Sequence, residues 1–326
     1  MKILVTGGAG YIGSVVAERL LTRGDAVVVL DNFSGGHRAA VPAGAELVEG
    51  DLRDRKWLAR TVSDVCPDAV AHLAGEALVG ESVAEPAKFF EVNLIGGLNL
   101  LDAMRRADVQ RLVFSSTAAV YGEPATVPIV EDAPRRPVNA YGASKWAFEQ
   151  ALPWYASAYG LRHISFRYFN ACGATVERGE YHVPETHLIA ILLEVALGLR
   201  SEVRIFGDDY DTPDGTCIRD YIHVSDIADA HLLALAHMDK LESGAFNLGN
   251  GAGFSNREVV EAARRVTGHA IPAVSAPRRA GDPSRLVASS MGAAEVFGWA
   301  PQYPTLDVMI ETAWAWRKDR GQPYGV

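Results

Sequence analysis

Tyr141 and Lys145 are the residues whose types and spacing best suit a chemical role. A helix predicted over residues 141–159 places their side chains one turn apart on the same face. A phenol with a pKa of about 10 is a poor base at neutral pH, and a nearby ammonium lowers that pKa by favouring the phenolate. The pair therefore predicts proton transfer by Tyr141. The alternative is an exposed helix pair that contributes only a few tenths of a kcal/mol to stability.

Thr117 is the predicted third member of this group. It follows a strand predicted over residues 111–115, within the segment Ser115-Ser116-Thr117-Ala118-Ala119. Doubly wound sheets bind their ligands at the carboxyl ends of such strands, so the Thr117 hydroxyl can bridge Tyr141 and a substrate hydroxyl. Taken alone, Thr117 is equally well explained as a polar turn residue.

A glycine-rich turn lies between the first predicted strand and the first predicted helix. Gly8, Gly10 and Gly13 satisfy the G-x-G-x-x-G pattern. Gly7, Gly10 and Gly13 satisfy the related G-x-x-G-x-x-G pattern. Glycines allow a pyrophosphate to approach the backbone, and the free N–H groups of the helix N-terminus then hold the anion. The glycines are a weak signal by themselves, but their position between a strand and a helix favours a dinucleotide site.

Acidic residues at the ends of the next two strands support this prediction. Asp31 ends the second strand, where its carboxylate can accept both ribose hydroxyls and would repel a 2′-phosphate. This favours NAD over NADP, although Arg38 lies nearby in the sequence. Asp51 and Leu52 follow the third strand and can supply an adenine contact and an apolar floor.

The elements that must position these residues alternate between strand and helix. Strands are predicted at 2–6, 26–30, 46–49, 69–73, 111–115 and 162–167, and helices at 11–22, 54–64, 86–106 and 141–159. This alternation predicts an α/β fold with a Rossmann-type doubly wound parallel sheet. Further helices are predicted at 186–197, 225–237, 256–267 and 306–317. We therefore expect an NAD-binding domain (1–175) and a smaller C-terminal α+β substrate domain (176–326), with the chain able to cross back between them.

Composition excludes several classes of protein. The net charge of −9 disfavours a binder of nucleic acid or of an anionic membrane, because both need a positive surface. The longest apolar stretch is too short to span a bilayer, and the N-terminus lacks a signal-peptide pattern, so a cytoplasmic location is expected. Three cysteines without a C-x-x-C pair predict buried thiols rather than disulfides or a zinc module, and no metal site is predicted.

The glycine turn, the Ser-Ser-Thr segment and the Tyr-x-x-x-Lys spacing together resemble the extended short-chain dehydrogenase/reductase superfamily. Longer strings narrow the resemblance to the UDP-glucose 4-epimerase family over essentially the whole chain. The most specific are Arg219-Asp220-Tyr221-Ile222-His223-Val224 and Pro277-Arg278-Arg279-Ala280-Gly281-Asp282, supported by residues 79–82, 167–170 and 246–251.

This resemblance implies NAD-dependent 4-epimerisation of a UDP-hexose through a transient 4-keto sugar. It implies a catalytic group of Thr117, Tyr141 and Lys145. The implied cofactor contacts are Gly7, Gly10, Tyr11, Ile12, Gly13, Asp31, Asn32, Asp51, Leu52, Leu73, Ala74, Asn93, Ser115, Tyr141, Lys145 and Tyr168. The implied substrate contacts are Thr117, Asn170, His187, Leu188, Arg204, Phe206, Arg219, Arg279 and Asp282. It also implies a homodimer through a four-helix bundle of helices 86–106 and 141–159.

Two positions depart from the pattern of some family members. Residues 73–79 lack a lysine that some members place near the nicotinamide ribose, and Leu286 occupies a hexose-gate position where members restricted to the plain sugar carry Tyr. The smaller Leu286 side chain makes turnover of the N-acetylhexosamine pair a hypothesis.

Other functions remain open at this point. A UDP-glucuronate 4-epimerase or another nucleotide-sugar epimerase would use the same fold. A 4,6-dehydratase would need an acid after Thr117, where Ala118 and Ala119 stand instead. A non-catalytic NAD-sensing regulator is the alternative from a different class, but it would not require Tyr141, Lys145 and a nucleotide grip together.

Overall fold

A seven-stranded parallel sheet forms the centre of the computed structural model, which describes residues 1–241, 243–279, 281–320 and 323–325. The strands in chain order are β1 Lys2–Thr6, β2 Ala26–Asp31, β3 Glu46–Glu49, β4 Ala69–His72, β5 Arg111–Thr117, β6 Arg162–Tyr168, β7 Asn170–Cys172, β8 Val203–Phe206, β9 Ile218–Arg219, β10 Tyr221–His223, β11 Gly244–Leu248, β12 Phe254–Ser255, β13 Ala273–Ala276 and β14 Arg285–Leu286. The sheet order β11-β6-β5-β4-β1-β2-β3 confirms the predicted Rossmann-type doubly wound fold.

Helices cover both faces of this sheet. In chain order, the α-helices of the described residues are α1 Tyr11–Arg23, α2 Arg55–Val65, α3 Val79–Ala84, α4 Pro86–Phe89, α5 Gly97–Arg106, α6 Ala140–Tyr159, α7 Leu188–Ala196, α8 Val224–His237, α9 Asn256–Thr267, α10 Met291–Phe297 and α11 Leu306–Arg317. Alternate residues of β1 enter different cores, with Ile3 and Val5 on the side of α1 and α8, and Leu4 on the side of α2, α5 and α6. Burial of both faces explains why β1, β2 and β4 are almost continuously apolar.

Two predicted helices differ in detail from the structure. Helix 86–106 is present as α4, a π-helical segment (Phe90–Gly96) and α5 in succession. The wider π turn buries Asn93 against α6, and such turns are frequent at functional sites. Helix 186–197 begins later, at Leu188, because the Glu185 carboxylate accepts the N–H groups of Thr186 and His187.

The strand of the main sheet that sequence interpretation missed is β11, which pairs in parallel with β6 at one edge of that sheet. It follows helix α8 in the chain, but its partner strand lies about 80 residues earlier, so the local sequence pattern does not show which strand it joins. Helix α8, from the same half, packs against α1. The two-domain division remains a prediction.

The remaining strands form three small sheets, β10-β7, β12-β9-β14 and β13-β8, beside a core contributed by α7, α9 and α11. Cys172 and Cys217 are buried free thiols as predicted, whereas Cys66 is exposed at the C-terminus of α2. Within the described residues, no helix is long and apolar enough to cross a membrane.

Candidate active site

The glycine turn fits closely against the loop that follows β4. Gly7 has a φ of +72°, and a Cβ on it would lie 2.5 Å from the Ala74 backbone nitrogen. A Cβ on Gly13 would lie 2.1 Å from the Gly7 carbonyl oxygen. Gly10 precedes α1 without a side-chain cap, and the first turn carries no acid, so its amides can receive an anion. This backbone cradle, which a Cβ would fill, fits a dinucleotide pyrophosphate.

Asp31 lies at the end of β2, directly beside the cradle. Its buried carboxylate accepts the N–H groups of Ala9 at 2.9 Å and Phe33 at 2.8 Å. Burial raises the pKa of this carboxyl above its ordinary value. Each oxygen retains a lone pair that can accept a ribose hydroxyl. Arg38, the residue that complicated the choice of NAD, is paired with Glu49.

Asp51 is held by a residue that sequence interpretation missed. Arg53 donates two hydrogen bonds to its carboxylate, at 2.9 and 2.7 Å, and these hold the pKa of Asp51 well below its usual range. Asn32 donates a further bond to Asp51 at 2.8 Å. Leu52 is buried beside Gly96 in the π-helical segment. The structure thus brings Asn32, Asp51 and Leu52 together, next to the end of β2.

The predicted catalytic group is assembled where β5 ends and α6 begins. Asn139 caps α6 by accepting the Gly142 N–H at 2.9 Å, which fixes the start of the helix just before Tyr141. Thr117, the last residue of β5, is hydrogen-bonded to Tyr141. Lys145 is buried, donates to the Ser115 carbonyl oxygen at 3.0 Å, and lies 5.1 Å from the centre of the Phe114 ring. The structure therefore brings Thr117, Tyr141 and Lys145 to one place.

Burial changes the acid–base properties that the sequence suggested. Desolvation raises the pKa of Tyr141 above its ordinary value, and the hydrogen bond from Thr117 only partly opposes this. Desolvation also lowers the pKa of Lys145 to about 8. The prediction that Lys145 brings the pKa of Tyr141 below 10 is therefore wrong for the protein alone, because burial disfavours both charged forms. Further positive charge beside the phenol is needed to make Tyr141 an effective base.

The Asn93 side chain makes three hydrogen bonds within the protein. Its amide group accepts the Glu76 N–H at 2.8 Å, and donates to the Glu76 carbonyl at 3.1 Å and to the Ser144 hydroxyl at 3.0 Å. It thereby fastens the loop after β4 to α6, and its predicted contact with the cofactor remains a prediction. A Cβ on Gly75 in this loop would lie 2.9 Å from the Lys145 Nζ, so a side chain there would displace the Lys145 ammonium group.

Two predicted cofactor residues have hydroxyl groups that are already bonded. Tyr11 donates to the Gly173 carbonyl oxygen at 2.6 Å, and the Tyr168 hydroxyl is 2.7 Å from His231 Nε2. At these two positions, the aromatic ring and the backbone are the groups that remain available to contact the cofactor. Ile12 and Leu73 pack against the apolar core beside α1, and Ala74 packs against the opposite core.

The predicted nucleotide grip is assembled from β8, β9 and the segment before β14. Arg219 lies 3.5 Å from the Asp282 carboxylate, and the Arg279 guanidinium lies 3.8 Å from the centre of the Phe206 ring. Pairing of β14 with β9 places Leu286 opposite Arg219. The buried Asp220 carboxylate accepts N–H groups of Asn250, Gly251 and Ala288, which anchors the chain directly after Arg219.

The other predicted substrate residues lie around this grip with varied exposure. Asn170 begins β7 and pairs with Tyr221, while Leu188 begins α7 and packs on its core. Arg204 is mostly exposed and lies 3.6 Å from Glu202. His187 precedes α7 and contacts the carboxylates of Glu180 and Glu185. Sequence interpretation missed both of these acids.

The cradle, the catalytic group and the cationic grip occur together in one chain. A sequence model described as the NAD dependent epimerase/dehydratase family matches residues 3–249. The chain belongs to this family. A UDP-glucose 4-epimerase from Halalkalibacterium halodurans is 52% identical over 327 residues, which cover 99% of this chain and 98% of that protein.

Solved structures of family members show the same fold at full length. A UDP-glucose 4-epimerase from Brucella ovis in complex with NAD is 47% identical, with a TM-score of 0.92 and coverage of 96% of this chain and 97% of that one. A UDP-glucose 4-epimerase from Bifidobacterium longum in complex with NAD+ and UDP is 36% identical, with a TM-score of 0.95 and full coverage of both chains (100% each).

A buried ion pair supports the catalytic loop of this family member, and sequence interpretation did not find it. Arg167 Nη2 lies 2.7 Å from the Glu149 carboxylate, and each side chain is only 4% exposed. Ser116, next to Thr117, also donates to Glu149. Arg167 further donates to the Tyr121 hydroxyl at 2.8 Å, and Tyr121 donates to Asn247 at 2.7 Å. The network joins β5, β6, α6 and β11 directly behind the catalytic group.

Replacing Gly13 by Ala is expected to weaken NAD binding at least about tenfold, which is about 1.4 kcal/mol. The new Cβ would lie 2.1 Å from the Gly7 carbonyl oxygen and would force the cradle open. Titration of cofactor-stripped protein with NAD measures the change. Gly244→Ala is the matched control, because no atom comes closer than 3.4 Å to its added Cβ. Unchanged affinity in Gly13→Ala would show that this turn does not hold the pyrophosphate.

Proposed function

We propose that this protein is a UDP-glucose 4-epimerase, which interconverts UDP-glucose and UDP-galactose with NAD as a retained cofactor. The observation that carries the proposal is the position of the catalytic group. Thr117, Tyr141 and Lys145 meet at the carboxyl edge of the sheet, in a chain that also holds the glycine cradle and the Arg219 and Arg279 grip. The 52% identity to the Halalkalibacterium enzyme over nearly the whole chain supports the same activity.

Tyr141 is placed to move the proton of the sugar 4-hydroxyl. Thr117 is hydrogen-bonded to Tyr141 and can orient that hydroxyl against the phenol oxygen. NAD, when bound, accepts a hydride from the sugar C4 and returns it to the opposite face, so the overall reaction involves no net oxidation. The positive charge of the oxidised cofactor, added to that of Lys145, would offset the effect of burial on the pKa of Tyr141.

Return of the hydride to the opposite face requires the sugar to turn over while the nucleotide stays bound. Arg219 and Arg279 present planar guanidinium groups, which suit bidentate binding of a diphosphate. Phe206 offers an aromatic surface next to Arg279, and Asp282 beside Arg219 can accept a ribose hydroxyl. These contacts bind the UDP group firmly and leave the hexose free to rotate.

Identification of the products tests this function directly. Purified protein is incubated separately with UDP-glucose, UDP-galactose, both N-acetylhexosamine analogues and UDP-glucuronate, and the products are resolved by chromatography and NMR. We expect UDP-glucose and UDP-galactose to reach the same equilibrium mixture from either side. Conversion of UDP-glucuronate alone would replace the proposal with a UDP-glucuronate 4-epimerase. Loss of water from the sugar would indicate a dehydratase.

Leu286 leads us to propose that the enzyme also accepts the N-acetylhexosamine pair. It packs against the small core that includes Ala118 and Tyr121, from the segment after Thr117, so its size would limit the space beside the sugar. Leu286→Tyr is expected to reduce turnover of UDP-N-acetylglucosamine about 10- to 100-fold relative to UDP-glucose. The ratio of kcat/KM values for the two sugars measures the effect. Leu286→Met, which conserves volume, should leave the ratio unchanged, and an unaltered ratio in Leu286→Tyr would argue against this gate.

We further propose a homodimer through a four-helix bundle, to which each subunit contributes residues 86–106 (α4, the π-helical segment and α5) and α6. Large apolar side chains are exposed on this surface, including Ile95 in the π-helical segment, and Trp154 and Tyr159 on α6. Such patches mark interaction surfaces. Ile95→Glu combined with Trp154→Glu should reduce the mass in solution from about twice 35.1 kDa to that of a single chain, as measured by sedimentation equilibrium. Val176→Glu, at an exposed position elsewhere, should not change it.

A cytoplasmic location is the last part of the proposal. Cys66, Cys172 and Cys217 are free thiols, as is usual for proteins of a reducing compartment.

A further inference from the structure

Four side chains that are suited to binding a metal converge on the segment leading into α7. They are Glu180, His182, Glu185 and His187, and their ligand atoms all lie within 4.8 Å of one another. The cysteine spacing of this chain predicts no metal site. None of the four side chains in the cluster is a cysteine. They come together only because the chain folds around Val183 and Pro184.

The distances between the ligand atoms match a small coordination sphere. His187 Nδ1 lies 2.9 Å from Glu180 and 3.1 Å from Glu185. His182 Nδ1 lies 3.6 Å from Glu180 and 3.5 Å from Glu185. In a tetrahedral zinc site with bonds of about 2.0 Å, neighbouring ligand atoms are about 3.3 Å apart. The four observed distances lie on both sides of that value.

The hydrogen bonds within the cluster leave one histidine nitrogen, His182 Nδ1, available to bind a cation. The Glu185 side chain is only 2% exposed, and its Oε1 accepts the N–H groups of Thr186 and His187, while Oε2 faces His182. His182 Nδ1 is buried and has no hydrogen-bond partner among the residues that the structure describes. A buried polar nitrogen is costly without a partner, and a metal ion in the cluster would supply one.

We propose that Glu180, His182, Glu185 and His187 bind one divalent cation of the zinc class in a tetrahedral site. Two carboxylates and two neutral imidazoles balance a charge of +2 and provide the nitrogen and oxygen ligands that zinc accepts. Calcium and magnesium are disfavoured, because they require six or more oxygen ligands. Four protein ligands leave no open position, so the ion is structural rather than catalytic.

The ion would hold in place the segment 180–187, which connects the predicted cofactor side of the site to the predicted nucleotide side. Tyr181, inside the segment, bonds through its carbonyl oxygen to His37 Nε2 at 2.9 Å, in the loop that follows Asp31. His187 directly precedes α7, on the side assigned to the nucleotide. This role near the substrate rests on the proposed function, whereas binding of the metal does not.

Metal analysis of protein that has never carried an affinity tag tests the proposal. Wild-type protein is expected to contain one zinc ion per chain by plasma mass spectrometry. After removal of the zinc by a chelator, added Co2+ should give the intense visible absorption bands of tetrahedral nitrogen and oxygen coordination. His182→Ala should lower affinity for Co2+ at least about 100-fold, since even residues outside the coordination sphere change metal affinity about 10- to 100-fold.

His237→Ala is the matched control, because His237 is an exposed histidine on α8, outside the cluster. It should retain full metal content and the same Co2+ spectrum. The proposal is overturned if wild-type protein shows neither bound zinc nor tetrahedral Co2+ bands, which would identify the cluster as protonated histidines paired with carboxylates. Equal Co2+ affinity in His182→Ala and wild type would also overturn it. If His182→Ala does not fold, the wild-type metal content and Co2+ spectrum decide the question. Failure of epimerisation with intact metal binding would refute only the proposed function.

Discussion

Replacement of Tyr141 by Phe is expected to reduce epimerase turnover by about 10²- to 10⁴-fold while NAD remains bound. The substitution removes only the hydroxyl that is hydrogen-bonded to Thr117. It leaves Lys145 bonded to the Ser115 carbonyl and leaves the glycine cradle intact. Turnover is measured with UDP-galactose, and the NAD content of the same preparation is measured by chromatography after denaturation.

Tyr159→Phe is the matched control for this experiment, since Tyr159 ends the same helix with an exposed ring. It should retain wild-type activity. Near-normal turnover in Tyr141→Phe would assign the base to another residue. A second measurement follows deuterium placed at C4 of the sugar, which the proposed hydride transfer retains in the product. Exchange of that deuterium with water would rule out the mechanism.

Replacement of Arg167 by Met is expected to lower the free energy of unfolding by about 3–5 kcal/mol. Glu149 would then be a buried carboxylate without its cation, retaining only the hydrogen bond from Ser116. The Tyr121 hydroxyl would also lose a donor. The free energy of unfolding is obtained from urea denaturation, provided that the dependence on urea concentration is the same as for wild type.

The control removes both charges together. Glu149→Leu combined with Arg167→Met leaves no unpaired buried charge, and apolar replacement of a whole ion pair is often neutral or stabilising. We therefore expect the double variant to recover most of the stability lost in Arg167→Met. If the double variant is as unstable as the single one, packing around Arg167 matters more than its charge.

The sequence alone was sufficient to predict the fold and where in it the residues assigned to the cofactor lie. The glycine turn, Asp31 and the Tyr-x-x-x-Lys spacing are each contained in one short segment, so strand and helix patterns place them correctly. The alternation of strand and helix then determines the carboxyl edge at which Thr117 and Tyr141 meet.

Contacts between distant segments were decided only by the tertiary structure. Arg167 and Glu149 pair across β6 and α6, Asn93 reaches Ser144 from 51 residues away, and β11 joins the sheet from the second half of the chain. No local pattern records such pairings, because they depend on which surfaces pack together. The direction of the Tyr141 pKa shift has the same origin: the spacing to Lys145 is local, but the loss of water around the phenol is set by everything that covers it.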